Sequence, residues 1–195
     1  MKIALTAVAL LAIGALAGLG TWAAFSATTA SSANSFAAGS VALADNDSAT
    51  TTLSLSAARP ADADTSCITV TYTGSLASAV RLYGTTAGTG LDAYLDLKVT
   101  RGSFSATPPA FDSCTNFTPD ATDYTGAGNG VIYNGTLQGF PDTYAAGQVD
   151  PTAATPESWT SSESHVYKLQ ATLQDDAAAQ GTNATQTFTW EARNT

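Results

Sequence analysis

"LDAYLDLKVT", residues 91–100, sets Leu91, Ala93, Leu95, Leu97 and Val99 against Asp92, Tyr94, Asp96, Lys98 and Thr100. Successive side chains of an extended chain point to opposite faces, so this alternation predicts a strand with one face buried and the other wet. The same period of two recurs at Ile68, Val70 and Tyr72, at Tyr167, Leu169, Ala171 and Leu173, and at Phe188, Trp190 and Ala192. Turn signals stand between the runs: Arg59-Pro60-Ala61-Asp62, Tyr83-Gly84, residues 87–90, Arg101-Gly102, residues 126–130 and residues 175–181. Helical periodicity is not sustained anywhere after the N-terminal run, although residues 75–82 and 175–180 could each hold about one helical turn. About eight strands at this spacing predict an all-β sandwich, one domain over residues 36–195, with long loops at 103–116 and 141–161.

The N-terminus follows other rules. Lys2 precedes an apolar run from Ile3 to Gly20, the pattern of a secretory signal peptide spanning residues 1–23. The run is also long enough to cross a membrane, but the small residues Thr21 and Ala23 mark a cleavage site between Ala23 and Ala24, with a cut after Ser26 as the second choice. Membrane attachment is then expected only through the uncleaved signal, and a signal peptidase is an expected partner during export. The expected destination is outside the cell.

The chain carries 16 acidic and 7 basic residues for a formal net charge of −9, and removal of Lys2 makes it one unit more negative. Such a balance excludes nucleic acid as a natural partner and suits an exported, soluble protein. Cys67 and Cys114 are the only two cysteines. In an oxidising compartment one disulfide is the simplest pairing, worth about 4 kcal/mol for a loop of this length. Two free thiols, or an intermolecular bridge, are the alternatives.

Catalytic constellations are scarce. His165 is the only histidine, so no HExxH motif exists, and no Gly-x-Ser-x-Gly elbow is present. Glu163 and His165, two apart on one strand face, form the best half-site for a metal, but a surface histidine beside a strand start is the commoner reading. No catalytic residue, cofactor or complete metal site is assigned.

Gly20-Thr21-Trp22-Ala23-Ala24-Phe25, followed by Asn34-Ser35-Phe36-Ala37-Ala38-Gly39, resembles the signal junction and first strand of the TasA and camelysin family of exported bacterial proteins. Residues 73–80, TGSLASAV, are similar to the family's strand and turn after its first hairpin, and residues 188–192, FTWEA, to its last strand. The resemblance implies a jelly-roll sandwich, processing by a dedicated signal peptidase and, for TasA-like members, assembly into extracellular matrix fibres. Camelysin-like members are classed instead as surface metallopeptidases.

Cleavage would free residues 24–35, a stretch without charge or proline, ahead of a strand expected over residues 36–43. A free, strand-competent segment can add to a neighbour's sheet edge, and such head-to-tail contacts build homopolymers. Ala24, Phe25 and Phe36 are the expected donor residues, with Phe25 the anchor. A plain N-terminal spacer is the alternative reading.

Overall fold

In the computed structural model, the residues described are 39–48, 50 and 52–194. The signal segment, its cleavage site at Ala23 and Ala24, and the donor residues Ala24, Phe25 and Phe36 lie outside them. Within the unit Ala38–Thr195, twelve strands follow one another, interrupted by two single 3-10 turns. They are β1 Leu43–Asp45, β2 Ala63–Tyr72, β3 Ser78–Gly88, β4 Leu95–Phe104, β5 Phe117–Pro119 and β6 Val131–Thr136. The remainder are β7 Gln148–Val149, β8 Pro151–Thr152, β9 Thr155–Pro156, β10 Ser158–Trp159, β11 Ser164–Leu173 and β12 Ala184–Asn194.

All pairings are antiparallel. The larger sheet runs β1-β2-β11-β4-β5, with β6 also on β4; the smaller runs β10-β3-β12, with β7 also on β3. Their inner faces share one core in which Ile68, Val70, Leu97, Val99, Leu169, Val80 and Leu82 are buried. This is the predicted all-β sandwich, each long strand burying alternate side chains. Truncating Leu97 to Ala inside it would cost about 2–5 kcal/mol, because both the lost contacts and the residual cavity count.

Several local expectations are corrected. Leu91–Tyr94 is a 3-10 turn entered through Gly90 at φ 105°, and β4 begins only at Leu95. A single turn can mimic a period of two, since it also swings Leu91 toward the core. Residues 39–42 are not strand, so the first described strand is β1. Tyr83-Gly84 and Arg101-Gly102 lie inside β3 and β4. Gly102 is required there by close packing: a Cβ would stand 2.2 Å from the Thr118 carbonyl oxygen. Residues 75–82 hold no helix, whereas Ala177–Ala179 does form a 3-10 turn, capped by the Asp176 side chain accepting from the Ala178 amide at 2.8 Å. Long loops are confirmed at 105–116 and, broken by four two-residue strands, across 141–161.

Cys67 and Cys114 form a disulfide, tying the buried middle of β2 to the loop after β4. The Cys67 amide also donates to the Asp112 carbonyl at 2.9 Å. A covalent bridge of this kind belongs to a non-reducing, extracytoplasmic setting.

Candidate functional site

The inward register of Leu95, Leu97 and Val99 continues to Arg101, which therefore enters the space between the sheets and is 5% exposed. A buried guanidinium is tolerable only with its charge and donors matched. Nε lies 3.1 Å from both carboxylate oxygens of Asp150, which is itself 3% exposed. One terminal nitrogen meets Asp120 at 2.5 Å; the other donates to Glu157 and lies 2.9 Å from His165 Nε2. Burial alone would lower the Arg101 pKa, but Asp150 first, then Asp120, raise it above its ordinary value, so Arg101 stays charged.

Asp150 also accepts from Trp159 Nε1 at 2.8 Å and from the Tyr167 hydroxyl at 2.7 Å. Burial, then Asp150, pushes the Tyr167 hydroxyl far above its ordinary pKa, so it remains a donor. Around the rim, Tyr124 donates to Asp120 at 2.9 Å, and Glu163 accepts from the Thr160 amide at 2.8 Å. Burial raises the Glu163 carboxyl, but the Thr160 amide and His165 outweigh it, and its pKa lies below the usual value. Glu157 shifts the other way, because its burial outweighs the pull of Arg101 and His165.

His165 and Glu163 do come together, with Nε2 3.0 Å from Oε1. They are not a surface pair, for His165 faces inward and stacks edge-on against Trp159 at 4.6 Å. With its proton on Nδ1, His165 accepts from Arg101; with Nε2 protonated, it donates to Glu163. Ligand atoms of Asp150, Glu157 and His165 lie within 4.8 Å of one another, a spacing that could surround a cation. Arg101 contacts all three. Both Asp150 oxygens are already engaged by three donors, and a guanidinium cation stands against all three residues where a metal cation would have to, so the group does not fit a metallopeptidase centre with an open coordination position. It joins β4, β5, β11 and the 148–159 segment as a charged clasp between the sheets.

A second feature neighbours the clasp, where Trp190 packs on Tyr167 with ring centroids 5.3 Å apart. A cleft of about 750 Å³ is lined by Leu43, Leu53, Leu55, Leu91, Phe188 and Trp190 among others. One wall is β1 with the segment that follows it; the other is β12. β12 pairs with β3 along its whole length and, among the described residues, has no partner on its other side. Among the described residues, its outer row of backbone N–H and C=O groups is thus an unpaired sheet edge. Trp190 lines this cleft, and its buried Nε1 has no hydrogen-bond acceptor among the described residues.

Sequence reasoning found Glu163 and His165 but missed Arg101, Asp150, Asp120 and Glu157. The available signal was the alternation itself: carried two residues past Val99, it places Arg101 inside. The carboxylates come from loops with no periodicity. No protein-family model and no curated protein sequence matches this chain.

Proposed function

We propose that this protein is a secreted structural subunit of extracellular, matrix-type fibres, and that each subunit adds the segment following its signal to the β12 edge of a neighbour. The observation that carries the reading is the eleven-residue edge of β12, whose residues 184–190 line a cleft that mixes leucines and aromatics with threonines and aspartates. An edge of that length runs about 37 Å, and residues 24–35 in extended form reach about 40 Å. The added strand would supply backbone partners along β12 and cover the apolar side chains beneath. Phe25 and Phe36 are an odd number of residues apart, so an unbroken strand turns only one of them inward. Phe25 is the one on the freed segment and is the anchor in this reading. The disulfide and the resemblance of the signal junction to TasA-like proteins both agree with an exported subunit.

Protein beginning at Ala24 should form filaments or elongated oligomers by electron microscopy. Protein beginning at Phe36 should keep its β-rich circular dichroism and stay monomeric. Filaments from the shortened protein would overturn the proposal. Phe25→Ser should weaken assembly less than deletion, since one buried aromatic contributes about 1.5–3 kcal/mol while the backbone pairs persist.

A further inference from the structure

The outer face of the larger sheet carries a pocket unrelated to the clasp or the cleft. β4 changes neighbour there, pairing with β6 over residues 96–100 and with β5 over residues 102–104, with a register shift between Val99 and Thr100. The changeover leaves a hollow of about 290 Å³ whose lining includes Lys98, Thr100, Phe117, Asn129, Lys168 and Gln170. Lys98 and Lys168 are the only lysines among the described residues. The β4–β11 register sets Lys98 opposite Gln170 and Thr100 opposite Lys168, so the two lysines are diagonal neighbours on one face, about 7–8 Å apart at the backbone.

In a chain with more than twice as many acidic as basic residues, neither lysine has a carboxylate within ion-pair distance among the described residues. Two unpaired cations side by side repel each other, and an anion between them relieves that repulsion. Beside them the Phe117 ring presents its face, with Lys168 Nζ 5.5 Å from its centroid, and Gln170 and Asn129 offer amide donors and acceptors. Two point charges, one flat apolar wall and neutral hydrogen-bonding groups match a small ring that bears a carboxylate and hydroxyls. A bare phosphate would use the charges and leave the wall and amides idle. The volume is near the lower limit for ligand sites and holds about one sugar ring.

We propose that this pocket binds a carboxylated sugar residue of the uronic acid type. Its carboxylate lies between Lys98 and Lys168, its ring lies on Phe117, and its hydroxyls face Gln170 and Asn129. Binding here does not depend on the fibre reading, because the pocket uses neither β12 nor the N-terminal segment.

Equilibrium dialysis of the secreted protein tests it with three probes: a uronic acid trisaccharide, its neutral counterpart and inorganic phosphate. The acidic sugar should bind at least about tenfold more tightly than the neutral one, and Lys98→Gln or Lys168→Gln should each weaken it about tenfold, as expected for loss of a charge-assisted contact. Phe117→Ala should weaken the sugar and leave phosphate unchanged. Circular dichroism should show all three variants folded, since none of these side chains enters the core. The proposal fails if the acidic sugar does not bind, if its binding survives both lysine changes, or if phosphate competes as well as the sugar and Phe117→Ala has no effect.

Discussion

Replacing Arg101 by Met keeps most of the side-chain volume and removes the one cation at the centre of the clasp. Asp150, 3% exposed, would retain Trp159 and Tyr167 as donors but lose its charge partner, and Asp120 and Glu157 would face it uncompensated. Removing one member of a buried ion pair costs about 3–5 kcal/mol, which is a large share of the roughly 5–15 kcal/mol that stabilises a domain. For a domain of this size that is a fall of about 6–20 °C in melting temperature. Thermal unfolding followed by far-ultraviolet circular dichroism, with the disulfide intact, measures it. Adding Asp150→Asn to Arg101→Met should recover part of the loss, because the buried charge is gone while the amide oxygen still accepts from Trp159 and the amide NH2 can donate to the Tyr167 hydroxyl oxygen. A melting temperature unchanged by Arg101→Met, or a double variant that is less stable than the single by the full cost of Asp150→Asn alone, would refute the account of a coupled clasp.

Non-reducing peptide mapping of secreted protein should recover Cys67 joined to Cys114, and reduction should lower stability by about 4 kcal/mol from the entropy of the released loop; free thiols in the native sample would contradict this. Glu163 has a lowered pKa in the folded state, so its contribution is present above the ordinary glutamate value and lost as pH falls through the folded one: Glu163→Gln should be destabilising at neutral pH, with the gap closing as the solution is acidified below the ordinary glutamate range. Glu157 has a raised pKa, the opposite sign, so Glu157→Gln should equal or exceed the parent at about pH 7 and lose that advantage in acid; the same pH trend in both variants would show the assignment wrong. His165→Ala removes the contacts to Trp159 and Glu163, and should cost about 1–2 kcal/mol while leaving the β-rich spectrum and any filaments intact; abolished assembly would place His165 in the subunit contact.

The legible part of this fold was the part written as local alternation. β2, β4, β11 and β12 declare themselves by which residues are apolar, and the pairing of Cys67 with Cys114 follows from compartment and number. The errors came where a residue answers to something distant in sequence. Gly84 and Gly102 read as turns because glycine usually marks one; here each permits a neighbouring backbone to come close, at Thr187 and at Thr118. Arg101 read as the end of a strand because a charged residue does not belong in a core, and it belongs in this one only through Asp120, Asp150 and Glu157. Lys98 looked like an ordinary wet position; only the strand register makes Lys168 its neighbour.

Under the proposed strand addition, the disulfide also bears on how many edges of this molecule can take a partner. The flank of β2 that faces away from β11 is closed over its second half: residues 70–72 pair with β1, the Thr69 amide donates to Asn46 Oδ1 at 2.8 Å, and the Cys67 amide is held by Asp112 two residues before the cross-link. β5, β7 and β10 are too short to template an added strand, and β6 has six residues. β12 is thus the longest open edge among the described residues, and in the proposed assembly, with one acceptor edge and one donor segment, each unit would have a valence of two. Chains of valence two grow as unbranched lines. Under the proposed strand addition, cutting the Cys67–Cys114 bond would release the loop held against Cys67 and expose a second stretch of edge on β2, so that reduced subunits would tend to branch where oxidised ones grow as lines.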